Sequence, residues 1–216
     1  MPFSCVATLS AAMLSAALIA GAASPAAAEP VEIVALGDSL TAGYGLAPGE
    51  AFPEQLQALL QARGYDVSVA NAGVSGDTAA DGLARLEWSV PAEADIVIVE
   101  LGANDALRGI DPALTREALS ELLAKLADRE QAVLLAGMLA PRNLGDEYAA
   151  AFDAIYPELA AEHGAALYPF FLEGVATDPA LNQADGIHPT AEGVARIVEA
   201  IAPLVEELVN DAAAEG

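Results

Sequence analysis

The segment VEIVALGDSL, residues 31–40, contains a run of apolar residues that ends in a glycine, an aspartate and a serine. A short run rich in Val, Ile and Leu predicts a strand that is buried on both faces. The strand is expected over residues 31–36, and Gly37 permits the chain to turn away sharply. Ser39 is therefore expected just beyond the carboxyl end of the strand, with its hydroxyl exposed above the sheet.

Similar apolar runs recur along the chain, separated by longer stretches with helical spacing. The other strands are predicted at residues 67–70, 96–101, 133–139 and, weakly, 165–168. The helices are predicted at residues 53–63, 78–87, 112–129, 147–162 and 191–209. This alternation requires a parallel sheet covered by helices on both sides. The predicted fold is α/β: a three-layer α/β/α flavodoxin-like sandwich with a five-stranded parallel sheet, whose site forms beyond the carboxyl ends of the strands.

Residues 1–28 contain no Asp, Glu, Lys, Arg or His, whereas charged residues are frequent from Glu29 onward. The apolar stretch 11–20 has the length of a signal-peptide core, and three alanines at 26–28 fit the cleavage pattern. Because no Lys or Arg precedes the apolar stretch, an uncleaved anchor is the alternative. We expect a signal peptide at 1–28, cleaved near Ala28/Glu29, one domain at 29–216, and a periplasmic or secreted location.

The chain has 32 acidic and 8 basic residues, which gives a formal net charge of −24. Such a surface repels phosphate backbones and anionic membranes, so we expect no nucleic-acid partner and no stable membrane insertion after cleavage. Adaptation to salt and simple solubility both explain the acidity. The single cysteine, Cys5, lies in the predicted leader, which excludes disulfides, cysteine-ligated zinc and thiol catalysis in the mature chain.

The chain contains two histidines. His163 precedes a glycine at a predicted helix end, where an imidazole is an ordinary capping feature. His188 lies in the segment DGIHP, residues 185–189, where Pro189 favours an extended backbone at His188 and Thr190 can cap the next helix. A carboxylate three residues earlier can accept a hydrogen bond from Nδ1 and leave Nε2 free to take a proton. By itself, the pattern fits an incidental surface turn equally well.

Two further loops follow predicted strands. Asn104 comes after the strand at 96–101, and its side-chain amide can donate to a developing oxyanion. The loop at 71–78 supplies glycines whose backbone N–H groups can approach a ligand closely. A hydroxyl, backbone donors and an amide are thus expected at one edge of the sheet. Together with the Asp-His turn, they predict acyl transfer with Ser39 as nucleophile and His188 as base.

These residues resemble the SGNH or GDSL hydrolases, in particular the bacterial exported multifunctional thioesterase/protease/lysophospholipase (arylesterase-like) subgroup. The matching segments are residues 37–44, 75–78, 82–86, 99–105, 107–109, 154–157, 169–171 and 185–189. The resemblance implies a triad of Ser39, Asp185 and His188. It also implies an oxyanion hole formed by the N–H groups of Ser39 and Gly76 and by the Asn104 amide, and no metal or organic cofactor.

The resemblance further implies a mobile substrate-binding loop at 106–111, with Leu107 and Ile110 as its apolar contacts; an ordinary strand-to-helix connection is the alternative. The expected reaction is hydrolysis of carboxylic esters or acyl thioesters through an acyl-enzyme on Ser39. The expected partner is a small-molecule ester or thioester with an acyl chain, and the expected assembly is a monomer. The loop at 140–148 departs from the family pattern because it carries a mixed-charge rim that includes Arg142.

Two other functions stay open from the sequence. The first is a carbohydrate O-acetyl esterase, for which Tyr44 and Trp88 are the nearest aromatic residues for sugar stacking. The second is a non-catalytic exported binding module, although such a module is expected to have lost part of the triad. Ser39 does not lie in a Gly-x-Ser-x-Gly elbow, which disfavours a lipase of the α/β-hydrolase type.

Overall fold

The computed structural model describes residues 1–3 and 29–215. The predicted signal peptide, apart from residues 1–3, lies outside the described residues, and so does Cys5. Within the described part, no helix combines the length and apolar character needed to cross a bilayer.

The centre of the fold is a sheet of five parallel strands in the order β2-β1-β3-β4-β5. The strands are β1 (Val31–Gly37), β2 (Val67–Gly73), β3 (Ile96–Glu100), β4 (Ala132–Ala136) and β5 (Ala166–Tyr168). This order is that of flavodoxin-like sheets. The predicted five-stranded parallel α/β sandwich is confirmed.

Eight α-helices connect and cover the described strands. They are α1 (Ser39–Ala42), α2 (Phe52–Ala62), α3 (Ala79–Ser89), α4 (Ala103–Leu107), α5 (Pro112–Ala127), α6 (Asp146–Asp153), α7 (Ile155–His163) and α8 (Ala191–Glu215). Helix α2 packs on α8, while α3, α5 and α7 pack side by side. The connection from β1 to β2 runs in one direction across the sheet, and the connections to β3, β4 and β5 run in the other. Because such connections are right-handed, α2 lies on one face of the sheet and α3, α5 and α7 lie on the other.

The structure corrects several predicted boundaries. The helix predicted at 147–162 is two helices, because Pro157 lacks the N–H that would bond to the carbonyl of Asp153. The strand predicted at 133–139 ends at Ala136: the N–H of Gly137 makes the last bond of the ladder with β5, to the carbonyl of Tyr168, and the carbonyl of Gly137 then accepts from Phe171 in the loop after β5. The last helix extends beyond residue 209 to Glu215 through an alanine-rich tail that favours helix.

One continuous apolar cluster fills the space between the sheet and both helical layers. It includes the inward side chains of all five strands, and its largest fully buried members include Phe52, Phe152 and Tyr156. Buried polar side chains lie just beyond the strand ends: Asp38 and Thr41 follow β1, and Glu100 ends β3. Buried polar side chains are normally hydrogen-bonded, and sites in parallel sheets form beyond the carboxyl ends of the strands. The functional site is therefore expected at this edge of the sheet.

Candidate active site

Ser39 is the first residue of α1, directly after the turn that ends β1. Asp38 caps this short helix because its Oδ1 accepts from the backbone N–H of Leu40 at 2.9 Å. A β-carbon at Gly37 would collide with the side chain of Thr41 and the carbonyl of Glu100, so only glycine allows the chain to turn this closely. The serine is thereby held half-buried at the carboxyl end of β1.

His188 reaches Ser39 from the far end of the chain. Its Nε2 lies 2.9 Å from Ser39 Oγ, and its Nδ1 lies 2.7 Å from Asp185 Oδ2. The other oxygen of Asp185 accepts from the backbone N–H groups of Ile187 and His188 at 2.9 and 3.0 Å. The hydrogen bond to His188, and then those two backbone bonds, lower the pKa of Asp185 to about 2. The carboxylate is therefore charged at neutral pH and fixes the orientation of the ring.

The turn that carries His188 is held by backbone and side-chain bonds. The N–H of Gln183 donates to the carbonyl of His188 at 2.7 Å. Thr190 caps α8, as predicted, because its Oγ1 accepts from the N–H of Gly193 at 3.2 Å. The Tyr44 ring lies against the imidazole, with the two centroids 4.6 Å apart and the planes tilted by 37°. Tyr44 therefore contacts the histidine, while the residue stays 55% exposed.

Asn104 is positioned by a second tight turn, after β3. Gly102 precedes α4 with φ +112°, a conformation that favours glycine, and a β-carbon there would collide with the hydroxyl of Tyr156. The side-chain amide of Asn104 donates to Asp38 Oδ2 at 2.9 Å and to the carbonyl of Asp77 at 3.0 Å. The amide therefore lies beside the Ser39 turn, and both of its hydrogens have acceptors in this conformation.

Gly76 lies in the loop between β2 and α3 with φ +93°. Its carbonyl accepts from the guanidinium of Arg108 at 2.7 Å. The same loop is tied to the end of β1 by Arg85, which forms an ion pair with Asp77 and donates to the carbonyl of Gly37 at 2.9 Å. The loops that follow β1, β2 and β3 are thus joined into one hydrogen-bonded unit.

A pair of buried carboxyl groups lies beneath this unit. Glu100 Oε2 accepts from Thr41 Oγ1 at 2.8 Å and from the N–H of Asp38 at 3.4 Å. Glu100 Oε1 has no hydrogen-bond partner among the described residues. Burial, followed by the charge of Asp38, raises the pKa of Glu100 well above its ordinary value. Burial also raises the pKa of Asp38 to about 6, although hydrogen bonds from Leu40 and Asn104 oppose this effect.

A cavity of about 510 Å³ opens beside Ser39, Asn104 and His188. Its walls are mostly apolar and include Leu40, Leu107, Met138, Leu139, Phe170, Leu172 and Ile187. Leu107 is therefore in the wall, as the resemblance implied. Ile110 is not: it lines a separate groove with Leu83 and Leu114, and its carbonyl accepts from the hydroxyl of Tyr148 at 2.8 Å. The cavity beside Ser39, with its volume and mostly apolar walls, suits a small apolar ligand.

Sequence reasoning missed several residues at this site. Met138 follows β4, while Phe170 and Leu172 follow β5, so the rule that sites lie beyond the carboxyl ends of strands could have identified them. In the sequence, Glu100 was noted only as a member of the segment 99–105 that resembles the family. A glutamate in an otherwise apolar strand was the available signal that this position is special.

The second histidine lies elsewhere. His163 is the last residue of α7 and is followed by Gly164 in the left-handed conformation, which confirms its predicted position at a helix end. Its Nε2 lies 3.0 Å from Ser120 Oγ. Among the residues that the structure describes, no carboxylate lies within 4.0 Å of His163, and no cluster of three His, Cys, Asp or Glu side chains could hold a metal ion.

A serine beyond the end of a parallel strand, bonded to an imidazole that is bonded to a carboxylate, is the arrangement that characterises serine hydrolases. Residues 35–196 match the model of the GDSL-like lipase/acylhydrolase family, and the chain belongs to this family.

Named relatives agree with this assignment. The chain is 40% identical over 178 residues to the protein named esterase TesA of Pseudomonas aeruginosa, a match that covers 82% of this chain and 89% of that one. It is 40% identical over 179 residues to thioesterase 1/protease 1/lysophospholipase L1 of Escherichia coli K12, covering 82% and 85%. The crystal structure of AlinE4, an SGNH-hydrolase family esterase, superposes with a TM-score of 0.71 at 48% identity, covering 84% and 98%.

The chain is accordingly an enzyme that hydrolyses ester-type bonds through a serine. The alternative of a non-catalytic binding module is therefore wrong.

Proposed function

We propose that Ser39 is the nucleophile of this hydrolase, His188 its general base and Asp185 the group that orients the imidazole. The observation that carries the proposal is the chain of two contacts, 2.9 Å from Ser39 Oγ to His188 Nε2 and 2.7 Å from His188 Nδ1 to Asp185 Oδ2. It joins residues 149 positions apart in the sequence. Both distances lie within the reach required for proton transfer.

The reaction proceeds in two half-reactions. His188 accepts the Ser39 proton as Oγ bonds to the carbonyl carbon, and the tetrahedral intermediate then expels the alcohol or thiol, which takes that proton from the imidazolium. Water next gives one proton to His188 and adds its oxygen to the acyl carbon. The acyl–Oγ bond then breaks, Ser39 regains a proton from His188, and the carboxylic acid leaves. Each step uses only these side chains and water, so no metal or organic cofactor is required.

The oxyanion of the intermediate is proposed to accept from the N–H groups of Ser39 and Gly76 and from the Asn104 amide. Both amide hydrogens of Asn104 have acceptors in the structure, Asp38 Oδ2 and the carbonyl of Asp77. One of these hydrogens must therefore be shared with the oxyanion as it forms. The existing bonds hold the amide close to Ser39, which reduces the reorganisation needed in the transition state.

The substrates are proposed to be carboxylic esters and acyl thioesters with an acyl chain. Support comes from the apolar walls of the cavity, which can hold a hydrocarbon chain, and from relatives named esterase, thioesterase and lysophospholipase. The carbohydrate esterase alternative has less support, since neither Tyr44 nor Trp88, both exposed, lines the cavity.

Ser39→Ala and His188→Ala should each lower kcat for p-nitrophenyl butyrate by about 10⁶, because the residues of a triad act as a unit. The chain supplies a matched control in Ser120, whose Oγ also contacts a histidine, at 3.0 Å, but on the surface of α5 away from the cavity. Ser120→Ala should retain the parental rate. A Ser39→Ala protein with parental activity would overturn the proposal.

We also propose that residues 1–28 are an export signal and that the mature enzyme is a periplasmic or secreted monomer beginning near Glu29. The absence of Asp, Glu, Lys, Arg and His from this segment and the alanines at 26–28 support it. Expression of the full chain in a Gram-negative host, followed by fractionation and intact-mass measurement, should give a soluble form outside the cytoplasm that lacks about 28 residues. An uncleaved membrane-bound form would contradict it, and sedimentation of the mature form tests the monomer.

A further inference from the structure

The distribution of positive charge in this acidic protein is uneven. All eight Lys and Arg side chains lie in the described part of the chain. Six of them have a carboxylate within 4.0 Å: Arg63, Arg85, Arg116, Lys125, Arg129 and Arg142. No described carboxylate lies within that distance of Arg108 or Arg196. Because Asp and Glu outnumber Lys and Arg four to one, an arginine without a partner is an exception that requires an explanation.

Arg108 lies at the lip of the proposed active site. It caps the C-terminus of α4, directly after the cavity residue Leu107, and its backbone N–H donates to the carbonyl of Asn104 at 3.0 Å. Its guanidinium donates to the carbonyl of Gly76 at 2.7 Å. The side chain is thus fixed between the two loops that carry the proposed oxyanion donors, yet it is exposed to solvent.

Most of the donor capacity of Arg108 is uncommitted. A guanidinium has five N–H donors, and the described contacts use one. The pKa of Asp81 is lowered mainly by hydrogen bonds from Thr78, with smaller contributions from the charges of Arg108 and Arg85. Asp81 accepts from Thr78 within the capping box of α3, so it does not neutralise Arg108 by contact. A planar, pre-positioned guanidinium is well suited to a phosphate group.

The position of Arg108 relative to the cavity indicates which part of a substrate it meets. The mostly apolar walls suit the acyl chain; they include Arg142, which is paired with Asp153 at 2.7 Å, whereas Arg108 is not among the lining residues. The leaving group must then lie outside the cavity, at the exposed lip. A surface with a net charge of −24 repels an anionic leaving group, so such a substrate needs a local cation at the lip.

We propose that Arg108 binds the phosphate of a leaving group and makes the enzyme selective for acyl esters or thioesters whose leaving part is anionic. This inference rests on the proposed function, because it extends the site around Ser39. The phosphate can belong to a glycerol phosphate head group, in which it lies a few bonds from the scissile ester, or to an acyl-coenzyme A, in which the pantetheine arm separates it from the thioester; the shared chemistry is a phosphate ester in the leaving group. Arg108 contributes to substrate binding and takes no part in proton transfer.

The competing explanation is that Arg108 only braces the Gly76 loop. A brace would affect every substrate alike, whereas a phosphate-binding residue affects only anionic ones. The test therefore compares 1-octanoyl-glycerol-3-phosphate with 1-octanoylglycerol, which share the acyl chain and the ester and differ in the phosphate. Octanoyl-coenzyme A is the third substrate and distinguishes the two sources of phosphate. The variants are Arg108→Gln, Arg108→Lys and, as matched control, Arg196→Gln, which removes the other unpaired arginine on α8.

For Arg108→Gln we expect kcat/KM to fall about 10-fold or more on the glycerol phosphate ester or on the coenzyme A thioester, mainly through KM, because a charge-assisted bidentate contact is lost. Loss of the contact with the Gly76 carbonyl can lower turnover of every substrate, so the discriminating quantity is the ratio of kcat/KM on a phosphate substrate to kcat/KM on 1-octanoylglycerol; this ratio should fall about 10-fold in Arg108→Gln and less in Arg108→Lys, which keeps the charge but loses the fork. Arg196→Gln should match the parent on all three substrates. Equal losses on charged and neutral substrates, or no loss on either charged one, would overturn the inference.

These outcomes are separable from those of the proposed function. Hydrolysis of 1-octanoylglycerol that disappears in Ser39→Ala tests the catalytic assignment without reference to Arg108. Remaining turnover of that neutral ester by Arg108→Gln shows that the variant is folded, and a further loss that is confined to the phosphate substrates then reflects their recognition.

Discussion

Ser39 and Ser120 both contact a histidine at nearly the same distance, 2.9 Å to His188 and 3.0 Å to His163. What separates the two contacts is the next bond. His188 is held by a carboxylate whose pKa is lowered to about 2, chiefly by its bond to the imidazole, while His163 has no carboxylate within 4.0 Å in the described chain. An imidazole needs such a partner to keep Nε2 unprotonated toward the hydroxyl and to stabilise the imidazolium that forms.

Asn104 provides a residue-level test of the oxyanion hole. Asn104→Ala should lower kcat by about 10² to 10³ with little change in KM, because the lost hydrogen bond strengthens only in the transition state. The measurement is steady-state hydrolysis of a p-nitrophenyl ester. Asn210→Ala, at an exposed position on α8, is the control and should be silent. A loss below about threefold would mean that the amide only braces Asp38 and Asp77.

At the level of elements, the strands could be predicted from the sequence because each contains an apolar run of strand length, too short for an ordinary helix. Helices α1 and α4 could not, because four or five residues are too few to show a 3.6-residue period. Their positions depend on contacts across the sheet edge, such as the one between Gly102 and Tyr156. The candidate site was predictable to a similar extent. The triad was expected from Ser39 and the turn at 185–188, because each lies in a short local motif. The cavity walls after β4 and β5 were not, because they depend on how distant loops fold together.

The buried end of β3 gives a prediction about stability and pH. The folded protein raises the pKa values of both Asp38 and Glu100, so it favours their protonated forms. The stability that protonated Asp38 contributes is fully present below its ordinary pKa, 3.8, and is lost as the pH rises through about 6. Glu100, whose pKa is also raised, acts in the same sense. Glu100→Gln removes one of the two ionising groups, so the variant should become more stable relative to the parent as the pH rises from about 5 to about 8.

Urea unfolding of both proteins at the two pH values measures this difference, and comparison at each pH cancels the contribution of the groups that do not interact with Glu100. Glu93→Gln, which changes an exposed glutamate at the opposite end of the sheet, is the control and should show no pH-dependent difference. If the free energy of unfolding of Glu100→Gln differed from that of the parent by the same amount at both pH values, the prediction would be wrong. Glu100 would then be no more protonated in the folded chain than in the unfolded one.

For the whole molecule, the dominant feature is its excess of negative charge, 32 acidic against 8 basic residues. Repulsion among these charges opposes folding and is screened by salt. Raising NaCl from about 0.01 M to about 0.5 M at neutral pH should raise the melting temperature by at least about 2–4 °C, the shift that corresponds to about 1 kcal/mol in a domain of this size. Activity on a neutral ester should persist at the higher concentration.

The matching control is the same salt series near the isoelectric point of 4.1, where the net charge is small and the shift should vanish. A melting temperature that falls with salt at neutral pH would show that the ion pairs on the surface outweigh the repulsion. A loss of activity in about 1 M salt would speak against adaptation to salt and in favour of simple solubility as the reason for the acidity.

The proposed reaction requires Ser39 to be the residue that becomes acylated. A fluorophosphonate added to the wild-type enzyme, followed by intact-mass and peptide-mass analysis, measures this directly, because the reagent bonds covalently to an activated serine. We predict one adduct per chain, on the peptide that contains Ser39, with labelling strongly slowed in His188→Ala and unchanged in Ser120→Ala. An adduct on a different residue, or full loss of esterase activity without any adduct on Ser39, would show that Ser39 is not the nucleophile.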